Sequence, residues 1–236
     1  MIIFYQLLLV HLIADYPLQF NELFKLKVRS KWGVLLHCGI VGIMAIPFLF
    51  PYILCLKMWL AIFILIISHF LIDYLRIVIT TNTQTDNLWM FLLDQSLHII
   101  VMWFITLIIL SIPESAIKIP EFTRGVLEDK IILLTASGFI AGGYFGAIVI
   151  HYLKKMISED YSSQALKTKR YGIIERLLIM TLILMPSLFF LFIPTILIAR
   201  MVISKEREEE YSLFDSIAST SIAVIFGLIL KMFVWG

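Results

Sequence analysis

Seven apolar runs, each close to the length of a membrane span, constrain this chain more than any other feature. They cover about residues 2–20, 32–52, 58–78, 88–112, 131–154, 172–199 and 211–235. A helix needs roughly 20 apolar residues to cross the hydrocarbon core of a bilayer. Of the 236 residues, 61% are hydrophobic, and mean hydropathy is +0.96. Soluble domains run at about 45–50% apolar. The predicted fold class is therefore all-α: a polytopic transmembrane helical bundle of about seven spans. The first run has no basic stretch ahead of it and already holds His11 and Asp15. It reads as a retained span and not as a cleaved leader.

Prolines punctuate the runs. Pro17 closes the first, Pro47 and Pro51 the second, and Pro113 the fourth, while the polar stretch Thr80 to Asn87 separates the third from the fourth. The domain reading follows: residues 1–112 form a four-helix bundle, 113–130 an extramembrane connector, and 131–236 the C-terminal transmembrane helices. Gly138, Gly142, Gly143 and Gly146 mark a face of segment five that lets neighbouring membrane helices approach closely. Lys25, Lys27, Arg29 and Lys31 fill the first connector, and Lys154, Lys155, Lys167, Lys169 and Arg170 cluster after segment five. This positive excess places the odd-numbered connectors in the cytoplasm. Arg200, Lys205 and Arg207, with four Glu residues around them, fit that scheme poorly; one escape is that segment six, interrupted by Pro186 and Pro194, is a hairpin and not one kinked span. A net charge of +2 with no concentrated basic patch gives no sign of nucleic-acid binding. Cys38 and Cys55 lie in apolar runs without CxxC spacing and read as free buried thiols.

Ionisable residues inside such runs are costly and mark sites. Segment one carries His11 and Asp15, segment three His69 and Asp73, and segment four Asp94 and His98, while His37 opens segment two. Residues four apart share one helix face. If segments one to four alternate in direction, all seven lie towards one membrane side. The reversed order in segment four then sets the carboxylates nearer the surface and the imidazoles about 6 Å deeper. A single membrane His or Asp more often makes a helix–helix hydrogen bond. Seven together require a water-filled cavity, protonated carboxylates or a bound cation. Helical bundles hold metals with such ligands on facing helices. A donor set of nitrogen and oxygen fits divalent ions, zinc first, with manganese or iron as alternatives. Seven donors exceed one tetrahedral site. The expectation is a dinuclear centre, with Gln19 and Gln95 as supporting hydrogen-bond partners.

These residues also carry a resemblance. His11xxxAsp15 with Leu18-Gln19, Lys27 ahead of Leu35-Leu36-xHis37, His69xxxAsp73-Tyr74 and Asp94-Gln95xxHis98 resemble an uncharacterised bacterial membrane family, domain of unknown function 3307. Gly172 to Leu177 and Glu210-Tyr211xLeu213 extend the likeness, and Phe214-Asp215-Ser216 departs from it. The resemblance implies a multi-pass protein of the bacterial inner membrane and brings no activity. A weaker similarity, limited to His and Asp on helices, is to membrane-bound metal-dependent hydrolases.

The functional expectation is a membrane-embedded metal-dependent hydrolase with its site near the cytoplasmic face. Glu175 and Arg176, at the start of segment six, are the candidate catalytic base and anion-holding group, against the plainer reading of an interhelical ion pair. The expected partners are membrane lipid and a small or lipid-like substrate, and oligomeric state stays open. The alternative is a transporter or relay for protons or divalent ions, in which the same residues form a transit site.

Overall fold

The computed structural model describes residues 2–109, 120–157, 166–185, 187–206 and 213–235. Pro113, Pro186, Arg207, Glu210 and Tyr211 lie outside the described residues, as do 110–112 of the fourth run and 113–119 and 158–165 of the proposed connectors. Every regular element among the described residues is helical. The chain divides into two compact units, Met1–Leu133 and Leu134–Gly236. Among the described residues five helices are long and apolar enough to cross a membrane: Lys31–Phe48, Leu56–Thr83, Leu88–Leu107, Lys130–Ile157 and Leu213–Trp235. Ile2–Asp15 is a shorter apolar helix.

In the first unit α1 (Ile2–Asp15), α3 (Lys31–Phe48), α4 (Leu56–Thr83) and α5 (Leu88–Ile109) form a closed ring, with α1 packed on α3, α3 on α4, α4 on α5 and α5 on α1. One half of the bundle is an apolar core. Ile3, Leu7, Val10 and Ala14 follow the helical repeat along α1 and meet Val41 and Ala45, Met58, Ala61 and Leu65, and Met102 and Ile105. Such a stripe, repeating every three to four residues, must face a partner to leave the lipid-facing side uniform. The other half carries the His and Asp residues. At the apolar end the Gln6 side-chain amide donates to the Leu127 carbonyl (2.8 Å), tying α6 (Glu121–Glu128) to α1.

Two boundaries depart from the sequence reading. The stretch from Thr80, read as a loop, continues α4 to Thr83. The hydroxyls of Thr80 and Thr83 donate to the Arg76 and Ile79 carbonyls, 2.9 and 2.8 Å away, and Gln84 stops the helix in the left-handed region at φ 54°. The charged first connector is also a helix, α2 (Asn21–Arg29), running almost directly into α3. Ser30 joins them. Its hydroxyl accepts from the backbone N–H groups of Trp32 (3.1 Å) and Gly33 (3.4 Å) as the N-cap of α3. Gly33 lies against the α2 backbone at Leu26 and Lys27, where a Cβ would stand 2.6 Å from the Lys27 nitrogen.

The unit boundary falls within α7 (Lys130–Ile140), which passes through a π-turn at Ala141–Phe145 into α8 (Gly146–Ile157) in the second unit. Its glycine stripe is a packing face: side chains of Leu230, Met180 and Ile222 fill the places where Cβ atoms would sit on Gly138, Gly142 and Gly146. Segment six is a hairpin. Arg200 of α10 (Ile193–Glu206) lies 3.7 Å from Glu175 of α9 (Leu166–Leu184) and over the Tyr171 ring. Twenty-five residues of straight helix would separate that pair by about 37 Å. The chain turns through a short 3-10 stretch at Ser187–Phe192, and Pro194 sits in the first turn of α10, where its missing N–H costs nothing. Arg200 and Lys205 thus return to the end where α9 begins, which resolves their poor fit to the charge pattern. The final helix, α11 (Leu213–Trp235), starts at that same end, with Asp215 paired to Lys154 at 2.7 Å. The departure at Asp215 from the family pattern is thereby matched by a cation.

Candidate metal centre

All seven sequence-predicted residues are buried in the first unit. The ring of helices brings them together because α1 and α4 run towards the polar end, while α3 and α5 leave it. Asp15 closes α1, His37 lies two turns into α3, His69 and Asp73 stand mid-way along α4, and Asp94 and His98 lie in the first half of α5.

Asp15 is the centre. Its Oδ1 lies 3.1 Å from His37 Nε2, 3.3 Å from His69 Nε2 and 3.7 Å from His11 Nδ1. The two Nε2 atoms are 3.2 Å apart, and Asp73 Oδ2 sits 3.4 Å from His69 Nε2 and 3.7 Å from that of His37. Two overlapping groups could hold a metal ion: His11, Asp15 and His69, and His37, His69 and Asp73. Asp94 and His98 stand beside these groups. The His98 ring packs on those of His69 and His11, with centroids 4.2 and 4.8 Å away.

A second layer of hydrogen bonds fixes which nitrogens of His11 and His98 carry lone pairs, while Nδ1 of His37 and of His69 has no hydrogen-bond partner among the described residues. The Tyr16 hydroxyl donates to Gln95 Oε1 (2.9 Å), and Gln95 Nε2 donates to Asp94 Oδ2 (2.9 Å), so the Gln95 amide has one orientation. His11 Nε2 faces the same Oε1 at 3.4 Å and must be its protonated nitrogen. His11 Nδ1 then presents a lone pair towards Asp15. His98 Nδ1 donates to the Asp94 carbonyl (2.8 Å), which leaves Nε2 bare. Neither His11 Nδ1 nor His98 Nε2 has a hydrogen-bond partner among the described residues, and both are buried. A ligating histidine ordinarily has one nitrogen tied and the other open in this way.

Two cations face the carboxylates, and one of them, Lys27, was undervalued by sequence. Arg76 reaches Asp94 Oδ2 at 3.2 Å. Lys27, read as part of an exposed connector, is buried on the inner face of α2 and holds Asp73 Oδ2 at 2.7 Å. Burial alone would push its ammonium pKa down; Asp73, Asp15 and Asp94 outweigh that and hold it above the ordinary lysine value. The available signal was the spacing of Leu23 and Lys27, four apart on one face of a stretch whose other residues are exposed.

A family model described as a protein of unknown function, DUF3307, matches residues 3–122, more than half of the chain. The chain belongs to the DUF3307 family. All seven residues, together with Lys27, Arg76 and Gln95, lie inside the stretch that defines DUF3307, so the whole cluster sits within family sequence. No curated protein and no solved structure matches the chain.

Glu175 and Arg176 fall outside that stretch and belong to the second unit. Arg176 is buried and its guanidinium is engaged locally. Nε donates to the Gly142 carbonyl (3.0 Å), Nη2 to that of Gly143 (2.7 Å) and Nη1 to the Ser219 hydroxyl (3.1 Å). It satisfies carbonyls of the π-turn, where the helical pattern is interrupted. Glu175 pairs with Arg200. Both groups thus make contacts between helices, Glu175 through an ion pair and Arg176 through hydrogen bonds.

Proposed function

We propose that this protein binds one divalent ion in the first unit and uses it for metal-dependent hydrolysis. The observation that carries the reading is the triangle of Asp15 Oδ1, His37 Nε2 and His69 Nε2, whose edges are 3.1, 3.2 and 3.3 Å. Tetrahedral coordination with bonds of about 2.05 Å has ligand–ligand edges of roughly 3.3 Å. Asp73, His11 and His98 surround the triangle as further ligands or as groups that position and take up protons. Zinc suits the nitrogen and oxygen donors best, ahead of manganese and iron. A bound divalent ion would supply Lewis-acid activation of water and of the scissile group.

Charge favours one ion over the dinuclear centre expected from counting donors. Asp15, Asp73 and Asp94 are opposed by Lys27 and Arg76, so three carboxylates face two cations. With neutral imidazoles the cluster carries one surplus negative charge. One divalent ion reverses it to a single positive charge. Two would leave three positive charges buried, and uncompensated burial of charge is expensive. The apolar half of the bundle, closed by Leu7, Val41, Met58, Leu65 and Met102, supports an enzyme over a through-path for ions.

The test is metal content and turnover of detergent-purified protein grown with zinc, manganese and iron. One ion per chain is expected, lost in His69→Ala and Asp15→Ala variants that keep their helical circular dichroism. Folded wild-type protein without metal would sink the site. Metal-dependent cleavage of a phosphoester without any gradient supports the hydrolase. Metal-driven ion flux in proteoliposomes, with no turnover, would replace it with the transporter.

A further inference from the structure

Lys27 has a place that the four-helix bundle does not require. It is carried by α2, outside the ring of helices, yet its ammonium enters the polar cluster 2.7 Å from Asp73 Oδ2, which is itself 3.4 Å from His69 Nε2. Arg76, by contrast, belongs to the ring and is shared between Asp94 and the exposed Asp86. When a divalent ion joins three carboxylates and these two cations, the buried site carries one positive charge. Burial makes that charge costly until one negative charge arrives. A bound ion would compete with Lys27 for Asp73 and would leave the ammonium free to meet an incoming anion. Lysine acts there as a point charge of the kind that suits a tetrahedral oxyanion.

We infer, resting on the single-ion reading above, that the site takes a phosphodiester group, one of its non-bridging oxygens facing the ion and the other facing Lys27. A phosphodiester carries one negative charge, which matches the surplus. Hydrolysis adds water across one ester bond: oxygen joins phosphorus, the P–O bond to the alcohol breaks, and the leaving oxygen gains a proton. The products are a phosphomonoester and an alcohol.

The test uses the full chain in detergent, loaded with zinc and freed of excess metal, titrated calorimetrically with inorganic phosphate. One phosphate per chain is expected, with no binding to metal-free protein. Lys27→Met should retain zinc, because it removes a competing cation, and lose about tenfold or more in phosphate affinity, the worth of one charged hydrogen bond. Lys27→Arg keeps the charge and should bind phosphate nearly as well as wild type. Bis(p-nitrophenyl) phosphate and phosphatidylglycerol micelles then compete for the bound phosphate. Displacement by the first assigns a soluble diester, and displacement by the second alone assigns a lipid headgroup. The proposal is overturned if zinc-loaded wild type binds no phosphate, if Lys27→Met binds it unchanged, or if neither diester displaces it. A wild type that takes up no zinc brings down the single-ion reading itself, which metal analysis tells apart.

Discussion

The joint between α2 and α3 can be tested with one substitution made twice. Gly33 and Gly39 are both on α3, and alanine improves the backbone propensity of either by about 0.5–1 kcal/mol. At Gly39 a Cβ meets nothing within 4 Å, so Gly39→Ala should be neutral or stabilise by that amount. At Gly33 it meets the backbone of Leu26 and, 2.6 Å away, the Lys27 nitrogen. Carbon contacts relax to about 3.5–4 Å, so α2 must retreat by roughly 1 Å. No side-chain rotation relieves a clash with backbone. Overpacking of this kind costs about 1–3 kcal/mol. The retreat also draws Lys27 from Asp73, and breaking a buried ion pair costs up to about 3–5 kcal/mol. After the propensity gain, Gly33→Ala should lose up to about 2.5 kcal/mol from overpacking alone and about 3–7 kcal/mol if the ion pair is lost as well. Thermal unfolding in detergent, followed by circular dichroism, compares the two variants with wild type. Equal midpoints for Gly33→Ala and Gly39→Ala would refute the close α2–α3 contact and the buried placement of Lys27.

Two further outcomes are expected. Arg176→Met leaves the Gly142 and Gly143 carbonyls and the Ser219 hydroxyl without their donor, and thermal unfolding should show a loss of about 3–5 kcal/mol; Arg176→Lys should recover only part, since an ammonium lacks the planar fork. In intact cells with Cys38 and Cys55 replaced, cysteines at the exposed positions Lys25 and Thr83 should respond alike to an impermeant thiol reagent and Glu121 oppositely, while a cysteine at the buried position Lys27 should react slowly even after solubilisation; opposite labelling of 25 and 83 would contradict the helix directions.

How far the sequence reached depended on whether a residue's partner lay on the same helix. The apolar runs and the four-residue His/Asp spacings are local, and the ring of α1, α3, α4 and α5 follows from them with alternating direction. The fate of segment six turned on a non-local contact. Prolines announced an interruption, but a kink and a hairpin share the same local pattern; the pairing of Glu175 with Arg200 distinguishes them. The π-turn has no local signature beyond Gly142 and Gly143, because its freed carbonyls are satisfied from another helix by Arg176.

The same limit explains what was missed at the candidate metal centre. Counting ionisable residues within apolar runs found every carboxylate and imidazole, because burial there follows from membrane thickness. It could not find Lys27, whose surroundings of Lys25 and Arg29 are those of a solvated connector. What buries Lys27 is the turn made by Ser30 and the contact made by Gly33, which fold α2 back against α3. The consequence is chemical as well as structural. On the reading proposed above, one divalent ion would neutralise three carboxylates and Arg76; with Lys27 added, the same ion leaves one positive charge. An ion-pair partner supplied from outside the bundle therefore adds a demand for an anion that the bundle's own residues do not make.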